Sequence, residues 1–546
     1  MEQTTFGQRE GKRFSCPQCG GGLRYDIASA RMKCDHCGQL TAISQLPQET
    51  EQTTTMEVTE FRCPQCGAAV YSSDTAVTSF CSFCGSDVVL TAKLTRTKRP
   101  ARIVPFAVTR EQCEEHYRSH LSKYHLVPKT LKAAETISHF RAVYVPFWDY
   151  HVSSQGTAKL TATKSYTRGE TRYDETYSLA VDAVIDQKDI LYDASTAFED
   201  ETAAMLRHTT DHALAFHSAY LSGFYAQAAD VPAETYHAEA AATAVRMFLD
   251  KIRQENNFDT VNTESDADEY FGLPKPEFRQ ELIMLPVWLL AHRQADRVVY
   301  TAINGYTGDV VCDVPVSLKR VTGVDIAVAA VIFLLLHLFL TLKPDHLMVL
   351  CAALSLITQY RFSAMQQMLF NRQTRAFEPD FSGGRTSFTG PAQLLLKKDG
   401  TATNAEKAKK IGANAVAVIL VIISILGTRT IGGLISAGME NVSAFTDNAA
   451  SLIMLVLLVL MVVHTVRTVS KPGHGAVIPR IISCAAAAAG LIFLITAQAE
   501  DMLFYACTAA MLGAAIWELI IIIRAHNQYA SRPVPYFDGK IGRAHV

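Results

Sequence analysis

Four Cys-x-x-Cys pairs stand near the start of this chain: Cys16 and Cys19, Cys34 and Cys37, Cys63 and Cys66, Cys81 and Cys84. Fourteen residues separate the first pair from the second, and the same fourteen separate the third from the fourth. The second half repeats the first after 47 positions, each half opening on CPQCG. A Cys-x-x-Cys turn sets two thiolates side by side, and two such turns supply the four sulfurs of a tetrahedral site. Soft sulfur donors in that geometry select Zn2+, and rubredoxin-like iron is the alternative with the same donors. A redox disulfide does not call for four pairs. We therefore expect two Zn2+ ions, one four-cysteine site in each repeat. Four sulfurs leave no open position for water, so the sites are expected to be structural and not catalytic. Gly20, Gly38, Gly67 and Gly85 each follow the second cysteine of a pair, where a sharp turn favours a residue free to take positive φ.

The elements between the pairs must hold them at that distance. LRYDIASARMK and AVYSSDTAVTSF alternate apolar and polar residues and read as β-hairpins. Units this small bury too little apolar surface to fold alone, so metal binding must supply folding energy. Zinc ribbons are expected at 14–45 and 61–92, with the basic TKRPAR stretch at 97–102 as a linker. The other cysteines, Cys113, Cys312, Cys351, Cys484 and Cys507, are scattered. MEQTTFGQREGKRFSC, the N-terminal stretch, has no apolar run of the signal-peptide kind. Paired cysteines without a secretory signal point to metal in a reducing compartment.

Residues 101–320 read as an α+β domain. Thr109 is placed to cap a helix running to about Lys123, with Glu111 and Glu114 suited to its first turn. His116 and His120 stand four apart on that helix, but no HExxH pattern accompanies them, so they read as solvated or packing side chains. His208, His212 and His217 read the same way. AVYVPFWDYHVSSQGTAKLTATKSYT is rich in aromatic and β-branched residues and reads as strand, with Pro146 at an edge or bulge. ELIMLPVWLLAHRQADRVVYTAINGYTGDVVCDVP has the same character, and its Pro286 and Trp288 echo Pro146 and Trp148. Both VPFW and LPVW read as core. Asn304-Gly305 and Thr307-Gly308 punctuate a hairpin. The charged, alanine-rich stretch 195–255 reads as helices, most clearly AETYHAEAAATAVRMFLDKIRQENN. No P-loop, Rossmann fingerprint, nucleophile elbow or paired carboxylates stand out, so no enzymatic activity is expected.

The paired-cysteine repeat resembles the TFIIB-type zinc ribbon. With the Pro146–Trp148 block and the Asn304–Gly308 hairpin ahead of a hydrophobic tail, residues 14–320 resemble a group of bacterial TFIIB-type zinc-ribbon membrane proteins. That resemblance implies a scaffolding role at the inner membrane beside phage-shock-like or SPFH-like (flotillin-like) proteins, and no enzymatic activity. The tail is longer than the one or two spans the resemblance implies.

After residue 320 the apolar runs are long enough to cross a bilayer. Six spans are expected, at 326–342, 346–360, 412–429, 449–466, 480–498 and 501–523, giving a transmembrane region over 321–523 with a cytosolic loop at 361–411. Lys319, Arg320, Lys397, Lys398, Arg467, Lys471, Arg480 and Arg524 fall on one side of that topology, and Lys343 and Arg429 on the other. The asymmetry places both termini and the 524–546 tail in the cytoplasm. His337, His464 and Glu518 are the ionisable residues away from the span edges, and so candidates for function.

The expected fold class is multidomain: two β-rich zinc ribbons, an α+β middle domain and an all-α polytopic transmembrane region. A formal net charge of −2 argues against a nucleic-acid binder. The expected function is a non-catalytic scaffold in the lipid bilayer of the bacterial inner membrane, recruiting cytosolic or membrane proteins. Two rivals stand beside it: a zinc-regulated transporter or channel subunit, and a membrane-tethered nucleic-acid binder.

Overall fold

The computed structural model describes residues 14–47, 54–72, 81–86, 91–168, 171–198, 200–206, 209–263, 275–324, 327, 344–375, 449–469, 477–496 and 501–534. The chain has a β-rich N-terminal region carrying the cysteine sets, a middle α+β region, and C-terminal helices apolar enough to span a membrane.

The first repeat folds as its alternation requires. β1 (Leu23–Asp26) and β2 (Arg31–Cys34) pair antiparallel, and β3 (Leu40–Thr41) joins β2. The second repeat is set within longer strands. β4 (Thr55–Arg62) lies between β5 (Ala69–Ser72) and β6 (Thr91–Lys98). The rest of its expected hairpin, 73–80, lies outside the described residues. TKRPAR is not the linker its composition suggested. Thr97 and Lys98 pair with Met56 and Thr55, and Arg102 begins β7 (Arg102–Ile103). Pairing with distant strands outweighs local charge and proline content there.

Thr109 caps α1 (Arg110–Ser122) through a reciprocal capping box: its hydroxyl accepts the Gln112 N–H, and the Gln112 carboxamide accepts the Thr109 N–H at 2.8 Å. A single turn, α2 (Ala134–Ile137), leads into β8 (Arg141–Arg168), which doubles back as β9 (Thr171–Asp193). The 195–255 stretch is less helical than expected. It holds α3 (Asp200–Met205), the short strands β10 (Leu214–Ala215) and β11 (Tyr225–Gln227), and the expected long helix α4 (His237–Glu255). β12 (Thr260–Thr263), β13 (Glu277–Gln294), β14 (Arg297–Asn304) and β15 (Val310–Cys312) complete the region.

The middle region is built twice about a pseudo-twofold relation. β8 and β13 pair antiparallel with Val145 opposite Leu285, so Pro146 faces Met284 as Pro286 faces Tyr144. On its other side β8 pairs in parallel with β11 at 143–144 and then with β9 from Phe147. β13 pairs in parallel with β7 at 283–284 and then with β14 from Val287. Each proline sits where one neighbour ends and the next begins. Pro146 is therefore inside the sheet and not at the edge or bulge expected of it, and its missing N–H falls where no ladder partner stands. Its carbonyl accepts the Ala194 N–H at 2.8 Å, and the Pro286 carbonyl accepts the Gly305 N–H at 2.8 Å. The correspondence extends outward. Ala194 O receives the N–H groups of Asp230 and Val231, as Gly305 O receives those of Ala107 and Val108. The Trp148 indole donates to Val231 O at 2.9 Å, and the Trp288 indole to Val108 O at 3.0 Å. The shared VPFW and LPVW blocks are thus the visible trace of two equivalent halves.

α1 and the first ribbon cover Tyr144, Met284 and Trp288 on one face of this sheet; α4 covers Trp148, Tyr150 and Leu282. The opposite face packs Val145, Ile283 and Leu285 against Phe198 and Leu206.

Toward the C-terminus lie α5 (Pro344–Arg375), α6 (Ala449–Val469), α7 (Val477–Thr496) and α8 (Asp501–Tyr529). Among the described residues three are long and apolar enough to cross a membrane, through Leu347–Ala364, Val477–Ile495 and Asp501–Gln528; Ile453–Arg467 is a shorter apolar stretch. The spans expected at 326–342 and 412–429 lie outside the described residues, apart from residue 327. α5 runs on to Arg375, inside the segment expected as a loop, because no glycine or proline interrupts it before that point. α8 also outlasts its expected end at 523. Its last turn is held by the middle region: the Asn527 carboxamide accepts the Val316 N–H at 2.7 Å and donates to Val316 O at 2.8 Å. β16 (Arg532–Pro533) then pairs with β14.

Asp149 of β8 is buried beside Arg102, whose guanidinium donates to it while also meeting Glu281 at 3.2 Å. Burial pushes the Asp149 carboxyl up to about 6, against the pull of Arg102. A carboxyl held above its unfolded value binds more protons folded than unfolded, so its contribution to stability is lost as pH rises from about 4 to about 6. Thermal midpoints of the chain and of Asp149→Asn across that window should show the decline flattened in the variant.

Candidate metal centres

Each of the four cysteine turns repeats one hydrogen-bond pattern. The first cysteine donates its N–H to the carbonyl five residues on, and the glycine four residues on donates back to that cysteine. The distances are 2.7 and 2.9 Å at Cys16, 2.9 and 3.0 Å at Cys34, 2.9 and 2.8 Å at Cys63, and 2.9 and 3.0 Å at Cys81. Closing this turn requires the left-handed region at the glycine, and φ is +75° at Gly20, +74° at Gly38, +77° at Gly67 and +67° at Gly85. Gly85 is doubly constrained, since a Cβ there would come within 3.0 Å of Ala291 O.

The turns face each other in pairs. All four sulfurs of Cys16, Cys19, Cys34 and Cys37 lie within 4.8 Å of one another, as do those of Cys63, Cys66, Cys81 and Cys84. The sulfurs of Cys16 and Cys37 stand 3.7 Å apart, those of Cys19 and Cys34 3.5 Å, and those of Cys63–Cys84 and Cys66–Cys81 each 3.8 Å. A tetrahedron with metal–sulfur bonds of about 2.3 Å has edges of about 3.8 Å, so either set could hold one metal ion. Amides and neighbouring sulfurs shift individual thiols of each set in opposite directions. The N–H groups of Cys37 and His36 help draw the Cys34 thiol down to about 6, the Cys37 amide foremost. The Gly21 amide pulls Cys19 down, but hydrogen bonds with Cys37 and Cys34 prevail and raise it to about 12. In the second set the bond to Cys81 pushes Cys66 up, while bonds from Cys66 and Cys81 pull Cys84 down. Four thiolates crowded this closely would repel one another, and a dication between them offsets that repulsion.

The two centres differ in surroundings. In the first, Cys16 and Cys34 are buried while Cys19 and Cys37 are exposed; in the second all four are buried. The second is covered by the β13–β14 hairpin, where the Tyr300 hydroxyl donates to Phe83 O and Arg293 donates to the Ser86 hydroxyl at 2.6 Å.

Among the described residues these are the two groups of three or more His, Cys, Asp or Glu side chains close enough to share an ion. The histidines serve packing and turns. His116 lies against Gly308, His120 beside Tyr124, His212 stacks on Tyr306, and the His217 ring accepts the Ala219 N–H at 3.1 Å. His208 and His337 lie outside the described residues.

His464 and Glu518 belong to a network that joins the apolar helices. Glu518 of α8 meets Arg480 of α7 at 3.4 Å, and the two are 1% and 2% exposed. Arg480 donates to the Ser363 hydroxyl at 3.1 Å, and His464 lies 2.9 Å from the same oxygen. Arg480 thus points into the bundle instead of serving as the boundary charge its place in the sequence suggested. Its opposite-charge partner, 38 positions away, was legible as a residue but not as a neighbour.

YdjG of Bacillus subtilis (strain 168), an uncharacterized protein, is 31% identical over 334 residues, which are 60% of this chain and 96% of the relative. The chain belongs to the same family as YdjG. No family model matches the sequence, and no solved structure matches it.

Cys34→Ser and Cys84→Ser should each lower the bound metal by one ion per chain, measured by elemental analysis. Loss at Cys84 should lower the thermal midpoint further, because that turn supports β13 and β14. Glu518→Ala should cost about 3–5 kcal/mol by stranding Arg480 in the bundle, with Arg480→Met recovering part of it; detergent-phase unfolding measures both.

Proposed function

We propose that this protein is a zinc-ribbon head on a multi-pass anchor in the bacterial inner membrane, with both termini cytoplasmic, and that it recruits other proteins to that membrane without catalysing a reaction. The observation that carries the reading is the attachment of the last apolar helix to the head. β16 extends from α8 into the sheet that also contains β4, β5 and β6 of the second cysteine repeat. Arg297 reinforces the joint by donating to the Ser531 hydroxyl at 2.8 Å and to Gln528 O at 2.6 Å. Such a joint holds the head at a fixed attitude, which suits a platform better than a tethered module.

Zinc is the ion of choice for both centres on donor softness and tetrahedral spacing. The TFIIB-type character of the ribbons rests on spacing, hairpin geometry and glycine position. The exposed turns of the first ribbon are the natural recognition surface, and phage-shock-like or SPFH-like proteins are the partners its resemblance favours. The near-neutral charge weighs against nucleic acid.

A second reading, a transporter or channel subunit regulated by the head, draws on the buried Arg480–Glu518 pair with Ser363 and His464. Buried charge between apolar helices is a mark of ion or solute pathways as well as of helix association.

Crosslinking in living cells followed by mild-detergent purification separates the readings. Soluble proteins should co-purify in stoichiometric amounts and be lost in a Leu40→Glu, Gln39→Ala variant, which alters the exposed second turn of the first ribbon but no sulfur. Absence of partners, with solute flux abolished in Glu518→Gln vesicles, would favour transport.

A further inference from the structure

The two cysteine sets share donors, spacing and turn geometry, yet their access to solvent is opposite. In the first, Cys19 and Cys37 are exposed, and so is the whole Asp35–Leu40 turn around Cys37. In the second no sulfur is exposed, and the Cys81–Ser86 turn lies under Tyr300 and Arg293. Oxidation of a thiolate requires an oxidant to reach the sulfur.

We propose that the first centre is an oxidant-sensitive, metal-releasing site and the second a protected structural one. The proposal rests on the zinc reading of both centres. The oxidant is a peroxide. An exposed thiolate, Cys37 or Cys19, attacks one peroxide oxygen, the O–O bond breaks, and a sulfenic acid and hydroxide form. A neighbouring thiolate then attacks the sulfenic sulfur, expelling a second hydroxide and closing a disulfide. Cys16 stands 3.7 Å from Cys37, and Cys34 stands 3.5 Å from Cys19. Two thiolates are oxidised by two electrons, one peroxide is reduced to two hydroxides, and Zn2+ leaves with two of its four ligands gone.

The consequence reaches the core of the head. The metal-free end of the ribbon, the β1–β2 hairpin, seats Tyr25 against Tyr220 and Phe224 with ring centroids 5.4 and 6.2 Å apart, and the Tyr25 N–H bonds to Ser222 O at 3.1 Å. A unit this small depends on its metal for folding. Release therefore frees the hairpin and uncovers the apolar surface formed by Leu221 and Phe224, converting an oxidant into a change of binding surface.

The test uses the full chain in detergent, loaded with Zn2+ and exposed to hydrogen peroxide. A chromogenic chelator follows release, and mass spectrometry maps the oxidised cysteines. One ion should leave at least about tenfold faster than the other, with disulfides confined to Cys16, Cys19, Cys34 and Cys37. Protease cleavage within 20–35 should rise in step with release. An Arg293→Ala, Tyr300→Phe variant, which uncovers the second turn, should lose its second ion faster than the parent. Two ions at the start followed by simultaneous release, or by first oxidation at Cys63–Cys84, overturns the proposal alone. Fewer than two ions at the start overturns the zinc reading and the proposal with it.

Discussion

Four sulfurs gathered within 4.8 Å cannot all be anions without a cation among them. That electrostatic constraint governs the N-terminal region. In our reading a metal ion in each set would turn two short stretches with little apolar surface into folded units, and the glycine in each of the four turns, at positive φ, lets the sulfurs face one another. It also orders the rest. The first centre fixes the hairpin that covers Tyr144 and Trp288 on the main sheet, and the second fixes the strands that extend that sheet toward β6. Each ion would therefore act well beyond its four ligands.

The sheet carries that influence toward the apolar helices. β13 and β14 touch the second centre through Arg293 and Tyr300, and β14 pairs with β16 at the end of α8. The pseudo-twofold arrangement of β8 with β13 makes this central sheet stiff, because each half closes hydrogen bonds on the other. In our reading the head is a rigid platform, and its responsive part is the exposed first ribbon.

The cysteine spacing made the donor sets legible because ligand geometry demands a local pattern. The α1 cap at Thr109 was legible for the same reason, since a capping box is complete within four residues. The echo of VPFW in LPVW was visible, but its meaning was not. A proline in a central strand is tolerated only where the ladder changes partners, and partners lie far off in sequence. β10 and β11 leave no trace in the sequence because strands of two and three residues carry no periodicity, and TKRPAR has a linker's composition because the residues that meet its Arg102, Asp149 and Glu281, lie far off in the chain. Glu518 stood out as a charge in an apolar run, whereas Arg480, near a helix start, did not.

X-ray absorption at the zinc edge of the purified full-length chain tests the central claim most directly. The account requires two ions per chain, each surrounded by four sulfurs at about 2.3 Å. A spectrum dominated by nitrogen or oxygen ligands, or a chain that carries no zinc, would contradict it.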